Sequence, residues 1–194
     1  TPALMGWGAK EDHLVVIADA TRGNNMMAFW RDAIPADWKG IPGYDRRVAG
    51  ITPIHFGVAR NEQAQVENAF VVYGYGAFTN NTFPVTRLPD LGNPAKQFLA
   101  ESYYMHVPGH EAKGGTMVRW DPQARQLKTA WQSDTNFAST ICAISGATEI
   151  LYCWTAKDRE WGLDGLDWET GKTLFRYTAG KSQRFNPVGA FAII

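Results

Sequence analysis

The chain of 194 residues lacks an excess of either charge: Lys plus Arg and Asp plus Glu each total 19. No overall field therefore draws it to nucleic acid or acidic lipid, and the Arg46–Arg47 pair is too small to change that. No apolar run approaches the ~20 residues that a helix needs to cross a bilayer, so no membrane span is expected. Thr1–Pro2 opens the chain without a signal-peptide pattern. Thr1 reads as the cut end of a longer chain rather than as an N-terminal nucleophile. The G-x-S-x-G elbow, the Walker loop and the dinucleotide glycine fingerprint are all missing. Gly74-Tyr75-Gly76 has the look of a nucleotide loop, but no helical pattern follows it.

What is abundant is aromatic and turn-forming: 8 Trp, 7 Tyr, 10 Phe, 19 Gly and 10 Pro. Such a composition favours short strands and turns over long helices, and an all-β fold is expected. Strands are expected over residues 2–8, 14–19, 26–32 and 47–56, with a proline-interrupted surface excursion at 34–44. The same order recurs at 66–73, 76–81, 115–120 and 126–131, with Phe83 to Lys113 read as an insertion loop because of its prolines. A third round covers 137–145, 150–155, 161–168 and 172–177, and 186–194 repeats the first-strand pattern. Trp120 and Trp168 stand in corresponding hairpins 48 positions apart, near the period of roughly 40–50 residues of a propeller blade.

The sharpest local pattern is Gly165 to Tyr177, two strands joined at Glu169-Thr170-Gly171-Lys172, where glycine supplies a positive φ. Asp167 followed by Thr170-Gly171-Lys172 resembles the docking motif of quinoprotein-like (PQQ-like) β-propellers, with Phe175 standing where Trp is usual. Trp120 to Trp131 is a looser echo, with Asp121-Pro122 at its turn. The resemblance implies a β-propeller of four-stranded antiparallel blades at about 2–57, 66–132 and 137–180, with the start of a further blade at 185–194. Three blades and one strand do not close a ring of four to eight, so the chain is expected to be part of a longer propeller. The remaining blades would then be its partners within the full-length protein. The family uses PQQ and calcium, but the adjacent cysteine pair and acidic calcium ligands of its dehydrogenases have no counterpart here. Asp19, Asp32 and Asp37 sit at strand ends or in loops, a placement open to calcium or to a solvated rim.

Asn68, Asn136 and Asn186 each stand just ahead of an expected first strand. In a propeller that strand lines the channel, so three amides would ring one mouth and bind a small molecule. The bland alternative is that each Asn closes a turn between blades. Recognition through the long loops is the other route, with Trp38, Tyr44, Tyr103 and Tyr104 as exposed aromatics. His106 and His110 have a zinc-like spacing, but Pro108-Gly109 between them forbids the helix that would align them. His55 reads as a partly buried strand residue, and His13 carries no signal. Two functions stay open: a non-catalytic module binding a small ligand or a protein through one face, or part of a quinoprotein-like or lactonase-like enzyme.

Cys142 and Cys153 are the only cysteines. They flank a hairpin centred between Ala147 and Thr148, and a two-residue turn there sets them opposite each other as a hydrogen-bonded pair. The alternatives are a disulfide and two small buried thiols. Members of the resembled family are commonly exported, which implies an extracytoplasmic location and favours the bridge.

Overall fold

A computed structural model describes residues 1–19, 24–56, 66, 68–82, 89–104, 112–137, 140–181 and 183–185. Its strands form three successive antiparallel meanders. The first is β1 (Ala3–Met5), β2 (Leu14–Ala18), β3 (Asn25–Trp30) and β4 (Val48–Pro53), paired in that order. The second is β5 (Val71–Tyr73), β6 (Gly76–Asn80), β7 (Lys113–Asp121) and β8 (Gln126–Asn136). The third is β9 (Ala143–Ser145), β10 (Ile150–Lys157), β11 (Glu160–Asp167) and β12 (Thr173–Gly180). The second and third are joined at one place, where Asn136 of β8 pairs with Ala156 of β10, so they run together as one sheet.

Side-chain alternation along the strands explains how the meanders stack. In the first, Met5, Leu14, Val16, Met26, Ala28 and Trp30 point to one face and are almost wholly buried. They pack on Ala77, Val118, Trp120 and Leu127 of the second meander. The neighbours Phe78 and Met117 point the other way and meet Leu151, Cys153, Leu166 and Trp168 of the third. The middle layer is therefore buried on both faces, and burial along β6 and β7 is almost continuous instead of alternating. Two cores result, one between each pair of layers.

Tryptophans fasten the layers. Trp30, Trp120 and Trp168 each lie at the end of, or just past, the third strand of a meander. Trp120 stands edge-on to Trp30 at 5.7 Å, and its indole N–H donates to Asp12 in the β1–β2 turn at 2.9 Å. Trp131 on β8 lies against Gly171, and its N–H donates to the Trp168 carbonyl at 3.0 Å. Gly171 has φ +70° and so provides the turn, while Asp167 Oδ1 accepts hydrogen bonds from the Thr170 amide (2.7 Å) and hydroxyl (2.5 Å). These bonds, the hydroxyl's first, hold the Asp167 carboxyl below its usual pKa.

Several expectations need correction. The stretch read as an insertion loop contains helix α1 (Pro94–Tyr104). Asn93 caps it, its Oδ1 accepting from the amides of Ala95 and Lys96, and Pro94 occupies the first helical position, where the missing N–H costs nothing. Strand β8 runs on to Asn136, and β9 is only three residues long. His55 is exposed beyond β4 rather than partly buried. The β9–β10 loop has four residues, Gly146 to Glu149, closed by Ser145 and Ile150, with Glu149 at φ +53°. The centre of the hairpin is as expected, but the longer loop shifts the hydrogen-bonding parity. Cys142 and Cys153 thus fall at a non-hydrogen-bonded position, with Cα atoms 4.5 Å apart and the sulfurs bonded.

Candidate functional site

A cleft of about 450 Å³ opens between the second and third layers. Register builds its floor. Asn136, at the tip of β8, pairs on one side with Lys113 at the start of β7 and on the other with Ala156 of β10. Asp134 and Thr135 precede it along the rim. The opposite lip is the β10–β11 hairpin, whose two-residue turn is Asp158-Arg159 between the paired Lys157 and Glu160. Both turn residues are left-handed, with φ +52° and +65°, the geometry of a type I′ turn. Asp-Gly would be the comfortable choice there. An arginine in that conformation costs roughly 1–2 kcal/mol, and strain of this kind concentrates where a side chain is wanted in a set position.

The back wall is a buried polar network on the inner face of the third layer. Arg176 Nη1 donates to Asp164 Oδ1 at 2.8 Å and to Thr155 Oγ1 at 2.6 Å, while Nη2 donates to the Glu160 carbonyl at 2.7 Å. The Thr155 hydroxyl in turn donates to Asp164 Oδ2 at 2.6 Å. With 7% of the Asp164 side chain and 19% of the Arg176 side chain exposed, the pair is satisfied from within and fixes β10, β11 and β12 together. By contrast, the side chains of Lys113, Lys157, Arg159, Asp134 and Asp158 have no ion-pair partner among the described residues. The cleft is a polar seat with a rigid wall and chargeable lips. It suits hydrogen-bonding recognition of a small hydrated molecule.

Of the residues expected from sequence that lie among the described residues, Asn136 alone lines this cleft. Asn68 lies in a bend ahead of β5, its amide nitrogen buried without a hydrogen-bond partner among the described residues. Asn136 closes a fourth strand instead of preceding a first one, so the two are not at matching positions. Asn186, His106 and His110 lie outside the described residues. Trp38 is half-buried rather than presented to solvent. It stands edge-on to Trp30 at 5.8 Å and donates its N–H to the Arg46 carbonyl, stapling the excursion to the first layer. Tyr44 is exposed, and Tyr103 and Tyr104 end helix α1.

The carboxylates weighed for calcium are each engaged separately: Asp19 with Asn25, Asp32 with His13 and Asp37 with Arg125. Among the described residues, no three His, Cys, Asp or Glu side chains group as metal ligands would. His13 does carry a signal. Its Nδ1 meets Asp32 at 2.5 Å, which raises the imidazole pKa and lowers that of the carboxyl. No helix among the described residues is long and apolar enough to cross a membrane.

The charged cleft residues missed from sequence are Lys113, Asp134, Lys157, Asp158, Arg159, Asp164 and Arg176. A signal existed for the Asp158-Arg159 turn, since the expected strands at 150–155 and 161–168 leave residues 156–160 as the connection between them. Asp164 and Arg176 face each other only through the β11–β12 register, which passes over a bulge between Gly165 and Leu166.

No protein-family model matches the chain. A curated relative from Archaeoglobus fulgidus, described as an uncharacterized protein, is 35% identical over 178 residues, which cover 90% of this chain and 34% of that protein. The chain thus spans about a third of the length of that relative. Among solved structures, BamB from Moraxella catarrhalis is similar with a TM-score of 0.43 and 12% identity, over 94% of this chain and 41% of that one.

Proposed function

We propose that the chain is a non-catalytic β-propeller-type module that binds a small polar molecule in the cleft between its second and third layers. The observation that supports this reading is the cleft itself, whose lips carry charges of both signs without ion-pair partners among the described residues, over a floor set by strand register. The layers serve as a scaffold, and the site belongs to strand ends and a tight turn, where recognition residues are held by a rigid sheet. Further blades of a longer protein would seat on the two outer faces. Leu4, Val15, Ile17, Met27, Phe29 and Ile51 cover one, and Tyr152, Trp154, Leu163, Phe175 and Tyr177 the other, all incompletely buried. The disulfide between Cys142 and Cys153 supports an extracytoplasmic setting, where such bonds persist.

The test is a thermal-shift panel of sugars, sugar acids, amino sugars and amino acids on the full chain, repeated on the Lys113→Ala, Asp134→Ala double variant. A saturable rise in melting temperature that the double variant loses is the expected result. A panel without any such rise, or a rise that survives in the double variant, contradicts the reading.

A further inference from the structure

We infer that the cleft is specific for a small polyhydroxylated carboxylate, of which a hexuronic acid is the simplest example, with Arg159 as its specificity-determining residue. This deepens the binding reading above and rests on it. The argument begins with which charges remain available. Asp164 and Arg176 offset each other's charge, with the Thr155 hydroxyl and the Glu160 carbonyl as further partners, so the pair adds no net charge to the cleft. Lys113 and Asp134 on one lip, and Lys157, Asp158 and Arg159 on the other, have no ion-pair partners among the described residues. Cations outnumber carboxylates at the lips, which favours an anionic over a cationic guest.

Arginine is also the better carboxylate receptor of these, because its planar fork matches the two oxygens. Its backbone conformation carries the point further. The second position of a type I′ turn favours glycine, yet the chain places there a long cationic side chain with φ +65°, directed by the turn at the mouth of the cleft. The rest of the lining explains the hydroxyl groups. Asp134 and Asn136, two residues apart on β8, share one face and bring a carboxylate and an amide, which between them read hydroxyls as donors and acceptors, while the Thr135 hydroxyl between them accepts from Ser133 Oγ at 2.9 Å. No aromatic side chain is among the lining residues, so recognition runs through hydrogen bonds and charge without a stacking platform.

The test is isothermal titration calorimetry of the full chain with D-glucuronate, D-glucose and D-glucosamine, repeated on Arg159→Gly. Glycine is the preferred residue for this turn, so the variant keeps the hairpin while removing only the guanidinium. Glucuronate should bind at least tenfold more tightly than the other two, and Arg159→Gly should weaken it about tenfold while leaving the melting temperature equal or higher. Glucose or glucosamine binding as well as glucuronate, or unchanged glucuronate affinity in Arg159→Gly, overturns the inference and leaves the binding reading standing. Silence from all three sugars overturns the inference, and the wider thermal-shift panel then decides the binding reading by itself.

Discussion

Asp164 shows what a single residue contributes to this cleft and why sequence alone could not find it. Its carboxylate is buried against Arg176 and Thr155, so Asp164→Ala leaves a guanidinium uncompensated and should cost about 3 kcal/mol, measured by urea unfolding. The paired strands bring Asp164 opposite Arg176 across a bulge whose position no local pattern encodes. Gly171 was legible for the opposite reason: a positive φ is a local requirement, and the Thr-Gly-Lys turn states it in adjacent letters. His13 and Asp32 form a pair whose pH dependence has a definite sign. The raised imidazole pKa, caused first by the Asp32 hydrogen bond, adds stability below the ordinary histidine value that is lost as pH rises through the raised one. The lowered Asp32 pKa, caused first by His13, adds stability above the ordinary carboxylate value that is lost as pH falls through the lowered one. The melting-temperature gap between the native chain and His13→Gln should therefore be widest between about pH 4 and 6.5 and close on either side.

At the scale of elements, the strands were readable wherever a short apolar or aromatic run lay between turn residues, as in β2, β3, β10 and β11. Helix α1 was not, because a proline was counted as a breaker when it sits at the one helical position that accepts it. The Asn93-Pro94 pair was a start signal in plain view, and Asn93→Ala should destabilise the helix by about 1 kcal/mol, visible as faster amide exchange over its first turn. The β9–β10 hairpin was half legible: its centre could be counted, but its loop length, and hence its pairing parity, depended on Glu149 adopting a left-handed conformation. Thiol titration of the denatured, unreduced chain should find no free thiol, and two after reduction. Breaking that bridge should cost roughly 3 kcal/mol for a loop of this size.

At the scale of the molecule, three meanders pack as layers, and the middle one is apolar on both faces because it has a neighbour on each side. That order was visible in the recurrence of four strands. The inter-layer cleft was not, because it arises where β8 outruns its expected end and bridges to β10, a long-range pairing set by the stacking itself. Of the three asparagines expected around one channel mouth, Asn186 lies outside the described residues, and Asn136 stands in the floor of the cleft because β8 runs five residues past its expected end, from 131 to 136. The central claim is that binding occurs in this cleft and not on the long loops. Hydrogen exchange followed by mass spectrometry, on the full chain saturated with whichever panel member raises its melting temperature, tests it most directly. Protection should appear at Lys113, at Asp134 to Asn136 and at Lys157 to Glu160. Protection confined to residues 34–44 or to the outer layer faces would contradict it.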